Sequence, residues 1–159
     1  QGVAWTALRH GFYASTFEIF VPTALETGEL RLPEDGPFSW TAHADLAEVD
    51  AIPLTHEDAL DGVSPALTGS ELLDFADVAR ILSSITARPI RRVVVDDGEW
   101  RDSAIERGLP APAADFTLGM FRAARRGEFA CTDPTLEQLL GRQAISARTT
   151  IEAIVQRHH

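Results

Sequence analysis

The stretch VAWTALRHGFY, residues 3–13, runs from an apolar segment through a polar turn to an aromatic pair. Val3 to Leu8 is mainly apolar toward both faces, which predicts a strand covered by helices on both sides. Arg9, His10 and Gly11 end that strand. Because open α/β sheets bind ligands beyond the carboxyl ends of their strands, this turn is the first candidate for a ligand crevice.

Outward from this stretch, apolar periodicity and turn signals predict the other elements. The predicted strands are Val3–Leu8, Glu29–Leu32, Phe38–Thr41, Ala66–Thr68 and Ile90–Val95. The predicted helices are Phe12–Thr27, Asp45–Leu54, Ser70–Thr86, Glu99–Arg107, Ala113–Arg126, Asp133–Leu140 and Ser146–Arg157, with a loop at His56–Pro65. Strand–helix units followed by helices indicate an α/β fold with an added helical lobe.

Two strand pairings are expected. Val3–Leu8 and Ala66–Thr68 should be parallel neighbours in one sheet. Ile90–Val95 is β-branched and lies between a proline and an Asp-Asp-Gly turn, so it is the strongest strand signal. It should pair with Glu29–Leu32 or Phe38–Thr41 in a smaller lobe.

Helix ends carry their own signals. Pro22 should kink or split the first helix, and Gly28 should end it. Thr68 and Glu71 match a capping box, in which a hydroxyl and a carboxylate satisfy each other's backbone donors. The sequence therefore predicts a helix that starts at Ser70.

Composition limits the classes of function. The net charge of −10 argues against nucleic acid as a partner, because phosphate binding needs clustered positive charge. No apolar run approaches the roughly 20 residues that span a bilayer, so no membrane partner is expected. Cys131 is the only cysteine, which excludes an internal disulfide, and we interpret it as a packing residue. A cytoplasmic protein is expected.

Absent residue types and patterns exclude several chemistries. All 14 basic residues are arginine, so a Schiff-base lysine, a phosphate-loop lysine and a Tyr-x-x-x-Lys dyad are excluded within this chain. Gly-x-Gly-x-x-Gly is absent, so the usual pyrophosphate cradle is missing. His-Glu-x-x-His and paired His/Cys clusters are also absent, so no metal site is predicted. Asp96, Asp97 and Glu99 follow a strand, and we interpret them as a solvated turn rather than a buried acid–base pair.

Two side chains just beyond the first strand are candidates for contact with a ligand. Tyr13, the only tyrosine, either faces the crevice or is a half-buried structural residue. His10 is either part of a site or an ordinary loop histidine. The aromatic group of Phe12, Tyr13, Phe17 and Phe20 is either core or pocket wall. The sequence leaves these alternatives open.

Several segments together resemble NmrA-like reductases. Residues 6–13, TALRHGFY, resemble their strand exit Thr-x-Leu-Arg-(Asn/Pro)-x-(Phe/Leu)-(Tyr/Phe). Residues 39–47, SWTAHADLA, resemble their Arg-x-Asp-(Leu/Val)-Ala step, and LTGSE at 67–71 followed by IRRVV at 90–94 resembles their Leu-Thr-Gly, helix and strand segment. Residues 133–142, DPTLEQLLGR, resemble their Leu-x-x-Leu-x-Gly-Arg signature. The chain is thus similar to these atypical short-chain dehydrogenase/reductases, which include NAD(P)H:quinone oxidoreductases and triphenylmethane-dye reductases.

The resemblance implies a fold and a domain organisation. Residues 1–159 would be the carboxyl-terminal half of an extended Rossmann fold, a doubly wound parallel sheet with a small α+β substrate lobe. Sheet-edge strands would lie near residues 3–8 and 66–68, and the lobe near 28–41 and 88–145. The nucleotide-binding amino-terminal half would be absent from this chain.

The resemblance also implies the cofactor and the site. The cofactor would be NADP or NAD in the full-length protein, and neither a catalytic side chain nor a metal ligand is assigned. The residues implied to bind the cofactor are Leu8, Arg9, His10 and Gly11, and those implied to bind the acceptor are Phe12, Tyr13 and Phe17. His10 departs from the asparagine or proline of the family pattern, which leaves its role open.

The implied activity is hydride transfer from NAD(P)H to a small quinone-like or dye-like acceptor, with this chain alone inactive and unable to bind dinucleotide tightly. The alternative is a non-catalytic regulator that senses dinucleotide and binds a protein partner. A strand from the absent half would flank Val3–Leu8, so Trp5 and Phe12 should be incompletely buried here. A homodimer or the amino-terminal half would cover this surface.

Overall fold

The computed structural model describes residues 5–56 and 60–158. Its strands are β1 (Thr6–His10), β2 (Phe12–Tyr13), β3 (Glu29–Pro33), β4 (Trp40–Thr41), β5 (Gly62–Leu67) and β6 (Arg91–Val95). Its helices are α1 (Phe17–Thr27), α2 (His43–Asp50), α3 (Ile52–Thr55), α4 (Phe75–Thr86), α5 (Asp97–Glu106), α6 (Ala111–Arg125), α7 (Thr135–Leu140) and α8 (Ala147–Arg157). Val3 and Ala4, the start of the first predicted strand, lie outside the described residues.

β1 and β5 form a parallel pair, with Thr6 opposite Gly62 and His10 opposite Leu67. The predicted parallel pairing of these two segments is therefore confirmed. The predicted loop at 56–65 is wrong at its end, because β5 already begins at Gly62. Pro65 concealed this strand: it lies where the register with β1 shifts, so its missing N–H breaks no ladder hydrogen bond.

β3 and β6 form a second parallel pair, from Glu29 opposite Arg91 to Pro33 opposite Val95. This confirms the pairing predicted for the strongest strand signal with the Glu29–Leu32 segment. The chain is thus an α/β fold with parallel strands, as predicted, and this second pair is a sheet of its own, apart from the β1–β5 pair.

The predicted helix over Phe12–Thr27 is wrong in its first turn. Phe12 and Tyr13 form β2, which pairs in parallel with Trp40 and Thr41 of β4, and a 3-10 turn over 14–16 leads into α1. Helical spacing of the aromatic residues concealed this strand, because the pairing partner lies far along the chain. Pro22 lies inside α1 without splitting it, and Gly28 ends α1 with a left-handed φ of 74°.

The predicted capping box at Thr68 and Glu71 is also wrong. The helix α4 begins at Phe75, and its capping box is formed by Asp74 and Asp77. The Thr68 hydroxyl instead accepts a hydrogen bond from the Asp133 amide at 2.9 Å. Several pairs of residues in a chain can have the spacing of a capping box, and tertiary contacts decide which pair caps the helix.

The other predicted helices are present with shifted ends. The segment Asp45–Leu54 is divided into α2 and α3, because Pro53 lies in the first turn of α3, where its missing N–H is tolerated. Cys131 is exposed, so its interpretation as a packing residue is wrong. Phe129 is the residue of this segment that packs against the main core, and Cys131 lies beyond it.

The main core lies between α1, α4, α6 and α8 and is dominated by aromatic rings. Phe17, Phe38, Phe75 and Phe121 are fully buried within it. Phe38 and Phe75 have ring centroids 5.7 Å apart in an edge-to-face arrangement, a geometry that stabilises beyond area alone. A smaller apolar cluster beneath β1 and β5 joins α2 to α7.

Candidate functional site

The carboxyl ends of β1, β4 and β5 and the start of β2 meet at Gly11. The Gly11 amide donates to the Leu67 carbonyl at 2.8 Å, which ties the turn after β1 to the end of β5. A Cβ at residue 11 would lie 2.5 Å from Thr41 Oγ1 and 3.0 Å from Thr68 Cγ2. Only glycine therefore fits here, because Thr41 and Thr68 pack directly against its backbone at the place where open α/β sheets bind ligands.

The Thr41 side chain holds these strand ends together through hydrogen bonds. Its buried hydroxyl donates to the Ser39 carbonyl at 3.1 Å and accepts from the Gly69 amide at 3.1 Å. A Cβ at Gly69 would collide with the Trp40 carbonyl oxygen, so a second glycine also permits close packing of backbones. The two strand pairs are thus held in one fixed arrangement around Gly11.

A pair of ionisable side chains lies at the same place. His10 Nε2 lies 2.9 Å from Asp50 Oδ1, at the last residue of α2, and the two side chains are 25% and 36% exposed. The Tyr13 ring packs against His43 with centroids 4.5 Å apart and lies 6.3 Å from the His10 ring. The structure therefore brings together the two candidates His10 and Tyr13, and adds His43 and Asp50, which the sequence analysis missed.

The remaining residues implied for the cofactor lie along β1. Leu8 packs against the small apolar cluster beneath β1 and β5, whereas Arg9 is exposed and its amide donates to Ser64 Oγ at 3.0 Å. The pKa of the Asp133 carboxyl is held below its ordinary value by hydrogen bonds from Thr135 and, more weakly, by the charge of Arg9. The Arg9 guanidinium is therefore exposed and lies near enough to Asp133 for its charge to act on that carboxyl.

The aromatic residues implied for the acceptor divide into two kinds. Phe12 is half-buried and packs against Phe38, Trp40 and Phe129, with centroids 4.7 to 5.1 Å away. Phe17 is fully buried, and its ring packs against Trp40 with centroids 4.1 Å apart. Phe17 is therefore part of the main core, and Phe12 packs against it.

Two of the motifs that resemble NmrA-like reductases, Asp-Leu-Ala and Gly-Arg, meet at a buried ion pair. Asp45 is fully buried and accepts from an Arg142 guanidinium nitrogen at 2.8 Å and from the Ile145 amide at 2.6 Å. Arg142 also donates to Glu48 at 2.6 Å. The Asp-Leu-Ala and Gly-Arg motifs, nearly 100 residues apart in the chain, thus meet to fix α2 against the segment after α7.

The acidic run after β6 has a structural role. Asp96 accepts from the Gly98 amide at 2.8 Å and caps α5, and Glu99 pairs with Arg31 at 3.1 Å. Asp97 accepts from Arg125 and Arg122, and the hydrogen bond from Arg125 contributes most to holding the pKa of its carboxyl below the ordinary value. These carboxylates therefore cap and pair rather than form an acid–base couple.

Two further features are absent from the described parts of the chain. No helix there is long and apolar enough to cross a membrane. No group of His, Cys, Asp and Glu side chains within residues 5–56 and 60–158 has the arrangement of a metal site.

No family model matches the chain. Among curated proteins, it is 28% identical over 145 residues to the NAD(P)H azoreductase of Xenophilus azovorans, covering 91% of this chain and 50% of that protein. It is 26% identical over 158 residues to an NmrA-like family domain-containing oxidoreductase of Aspergillus flavus, covering 98% and 51%. The chain therefore spans about half the length of these curated relatives.

Solved structures give the same picture of the fold. An NADPH-dependent quinone oxidoreductase from Escherichia coli superposes with a TM-score of 0.87 at 22% identity, over 97% of this chain and 56% of that one. The triphenylmethane reductase of Citrobacter sp., complexed with NADP(H), superposes with a TM-score of 0.87 at 23% identity, over 96% and 54%. These neighbours have Rossmann-like folds. The chain is therefore similar to NmrA-like reductases in sequence and in fold, and it spans about half the length of the relatives that it matches.

Proposed function

We propose that the protein containing this chain is a reductase that uses NADPH or NADH and transfers hydride directly to a small electron-poor acceptor, quinone-like or dye-like. The observation that carries the proposal is the convergence of strand ends on Gly11, where Thr41 and Thr68 leave no space for a Cβ. Open α/β sheets bind ligands beyond the carboxyl ends of their strands, and the close packing at Gly11 fixes the carboxyl ends of β1, β4 and β5 at this place. The names of the azoreductase and quinone oxidoreductase relatives support the same chemistry.

The proposed domain organisation makes residues 1–159 the carboxyl-terminal half of the reductase. The strands near residues 3–8 and 66–68 would end the large sheet, and the segments near 28–41 and 88–145 would form the substrate lobe. Among the described strands β1 pairs only with β5, and Trp5 and Val63 are each 60% exposed beside it. An amino-terminal half would pair with the other edge of β1 and cover these side chains. A homodimer is the alternative cover.

The proposed site assigns roles along the strand ends. Leu8, Arg9, His10 and Gly11 would contact the cofactor, with the Gly11 backbone closest. Tyr13 and Phe12 would line the acceptor side, and Phe17 would shape it through Trp40. The nicotinamide ring supplies the hydride when bound, and the chain's own part is to stack the acceptor and exclude water. No observation on the described residues favours the alternative of a non-catalytic dinucleotide sensor.

The test uses full-length protein and reduced nicotinamide cofactor deuterated at its transferring carbon. With a triphenylmethane dye cation as acceptor, the expected product carries the deuterium on its central carbon, as mass spectrometry would show. A panel of quinones should likewise oxidise the cofactor, followed by the loss of its near-ultraviolet absorbance. A protein that reduces neither the dye nor any quinone would reject direct hydride transfer. A dye product that carries only solvent hydrogen would also reject it.

A further inference from the structure

The His10–Asp50 pair is built like a proton-delivery pair. His10 is the last residue of β1, and its Nε2 is held by the Asp50 carboxylate at 2.9 Å. A carboxylate on one ring nitrogen fixes the orientation of the imidazole. Within residues 5–56 and 60–158, no hydrogen-bond partner is found for Nδ1. One edge of the ring is therefore tied, and the other remains available to a ligand.

The groups around His10 leave it as the best-placed acid at the strand ends. Tyr13 lies 6.3 Å away between ring centroids, and His43 packs against Tyr13 at 4.5 Å. The carboxylate that contacts His10 is Asp50, and Arg9 precedes His10 in β1. Because the chain contains no lysine, a Tyr-x-x-x-Lys dyad is unavailable to Tyr13 within it. Imidazole is suited to giving and regaining a proton near neutral pH.

We propose that His10, oriented by Asp50, donates the proton that completes reduction of a neutral acceptor such as a quinone. This role rests on the proposed function. Hydride from the nicotinamide adds two electrons and one hydrogen to the quinone, leaving an anion on the second oxygen. The Nδ1–H bond of the imidazolium breaks, its proton goes to that oxygen, and the neutral imidazole regains a proton from water. Asp50 is a positioning residue.

The chemistry of two acceptors separates this role from a structural one. A quinone needs one hydride and one proton to become a hydroquinone. A triphenylmethane dye cation needs a hydride alone, because the product is already neutral. Loss of a proton donor should therefore slow quinone reduction and spare dye reduction, whereas damage to the fold or to cofactor binding should slow both.

The experiment measures both reductions at saturating cofactor with full-length protein carrying His10→Asn or Asp50→Asn. His10→Asn should lower kcat for the quinone by about 100-fold more than kcat for the dye, within the range of a lost general acid, because a lost contact between His10 and the cofactor would slow both reactions equally. Asp50→Asn should have the same selectivity with a smaller loss. The matched control is His56→Asn, since His56 is exposed and its ring contacts the Thr55 hydroxyl instead. It should leave both rates unchanged.

The outcomes are distinct. An unchanged quinone rate in His10→Asn, or equal losses with both acceptors, would overturn the proton-donor role while leaving hydride transfer intact. A wild-type protein that reduces the dye but no quinone would overturn it as well. A wild-type protein that reduces neither acceptor would reject the proposed function itself, and the proton-donor role with it.

Discussion

At the scale of single residues, Gly11 is the most constrained position of the candidate site. Gly11→Ala would place a methyl group 2.5 Å from Thr41 Oγ1, whose hydrogen bonds to Ser39 and Gly69 leave it little freedom to move. We expect the free energy of unfolding to fall by about 1–3 kcal/mol, as for other overpacked sites. Denaturant unfolding measures this change.

The matched control for that substitution is Gly119→Ala on α6, where an added Cβ meets nothing within 4 Å. Replacing glycine by alanine inside a helix should stabilise by roughly 0.5–1 kcal/mol. If Gly11→Ala proved as benign as Gly119→Ala, the close convergence of strand ends would be incorrect.

At the scale of elements, Asp97 joins the start of α5 to the end of α6 through Arg122 and Arg125. Its folded-state pKa is lowered, so its contribution to stability is present above the unfolded-state pKa and lost as the pH falls through the folded-state value. We expect Asp97→Asn to cost about 1 kcal/mol at neutral pH, with the difference from wild type vanishing in acid. Urea unfolding across pH measures it.

The control is Asp102→Asn on the same helix, because Asp102 is 76% exposed and lies 3.8 Å from Arg101. It should change the unfolding free energy by less than about 0.5 kcal/mol. An Asp97→Asn effect that persists unchanged in acid would show that a neutral contact, and not the ion pair, joins the two helices.

Elements whose signal is local could be predicted from the sequence. The β-branched run of β6 and the glycine after α1 needed no knowledge of distant residues. The pairing of β2 with β4 could not be predicted, because each strand has two residues and exists only through the other. The same holds at the site: His10 and Tyr13 were candidates, whereas Asp50 joins them only once α2 packs beside β1.

At the scale of the whole molecule, the β1–β5 sheet leaves large apolar side chains exposed. Its exposed Trp5 and Val63 each forgo burial worth about 1.5–3 kcal/mol, a large share of the roughly 5–15 kcal/mol that stabilises a domain. The relatives are about twice as long as this chain. We therefore expect the strand ends around Gly11 to form one side of a cofactor site whose phosphate-binding side lies in an amino-terminal half.

The measurement that tests this most directly is calorimetric titration of NADPH and NADH into two proteins, the full-length protein and the chain of residues 1–159. The account predicts micromolar binding of at least one cofactor by the full-length protein and no comparable binding by the chain alone, which has neither a glycine-rich phosphate loop nor a lysine. Micromolar binding by residues 1–159 alone, or no binding by the full-length protein, would contradict it.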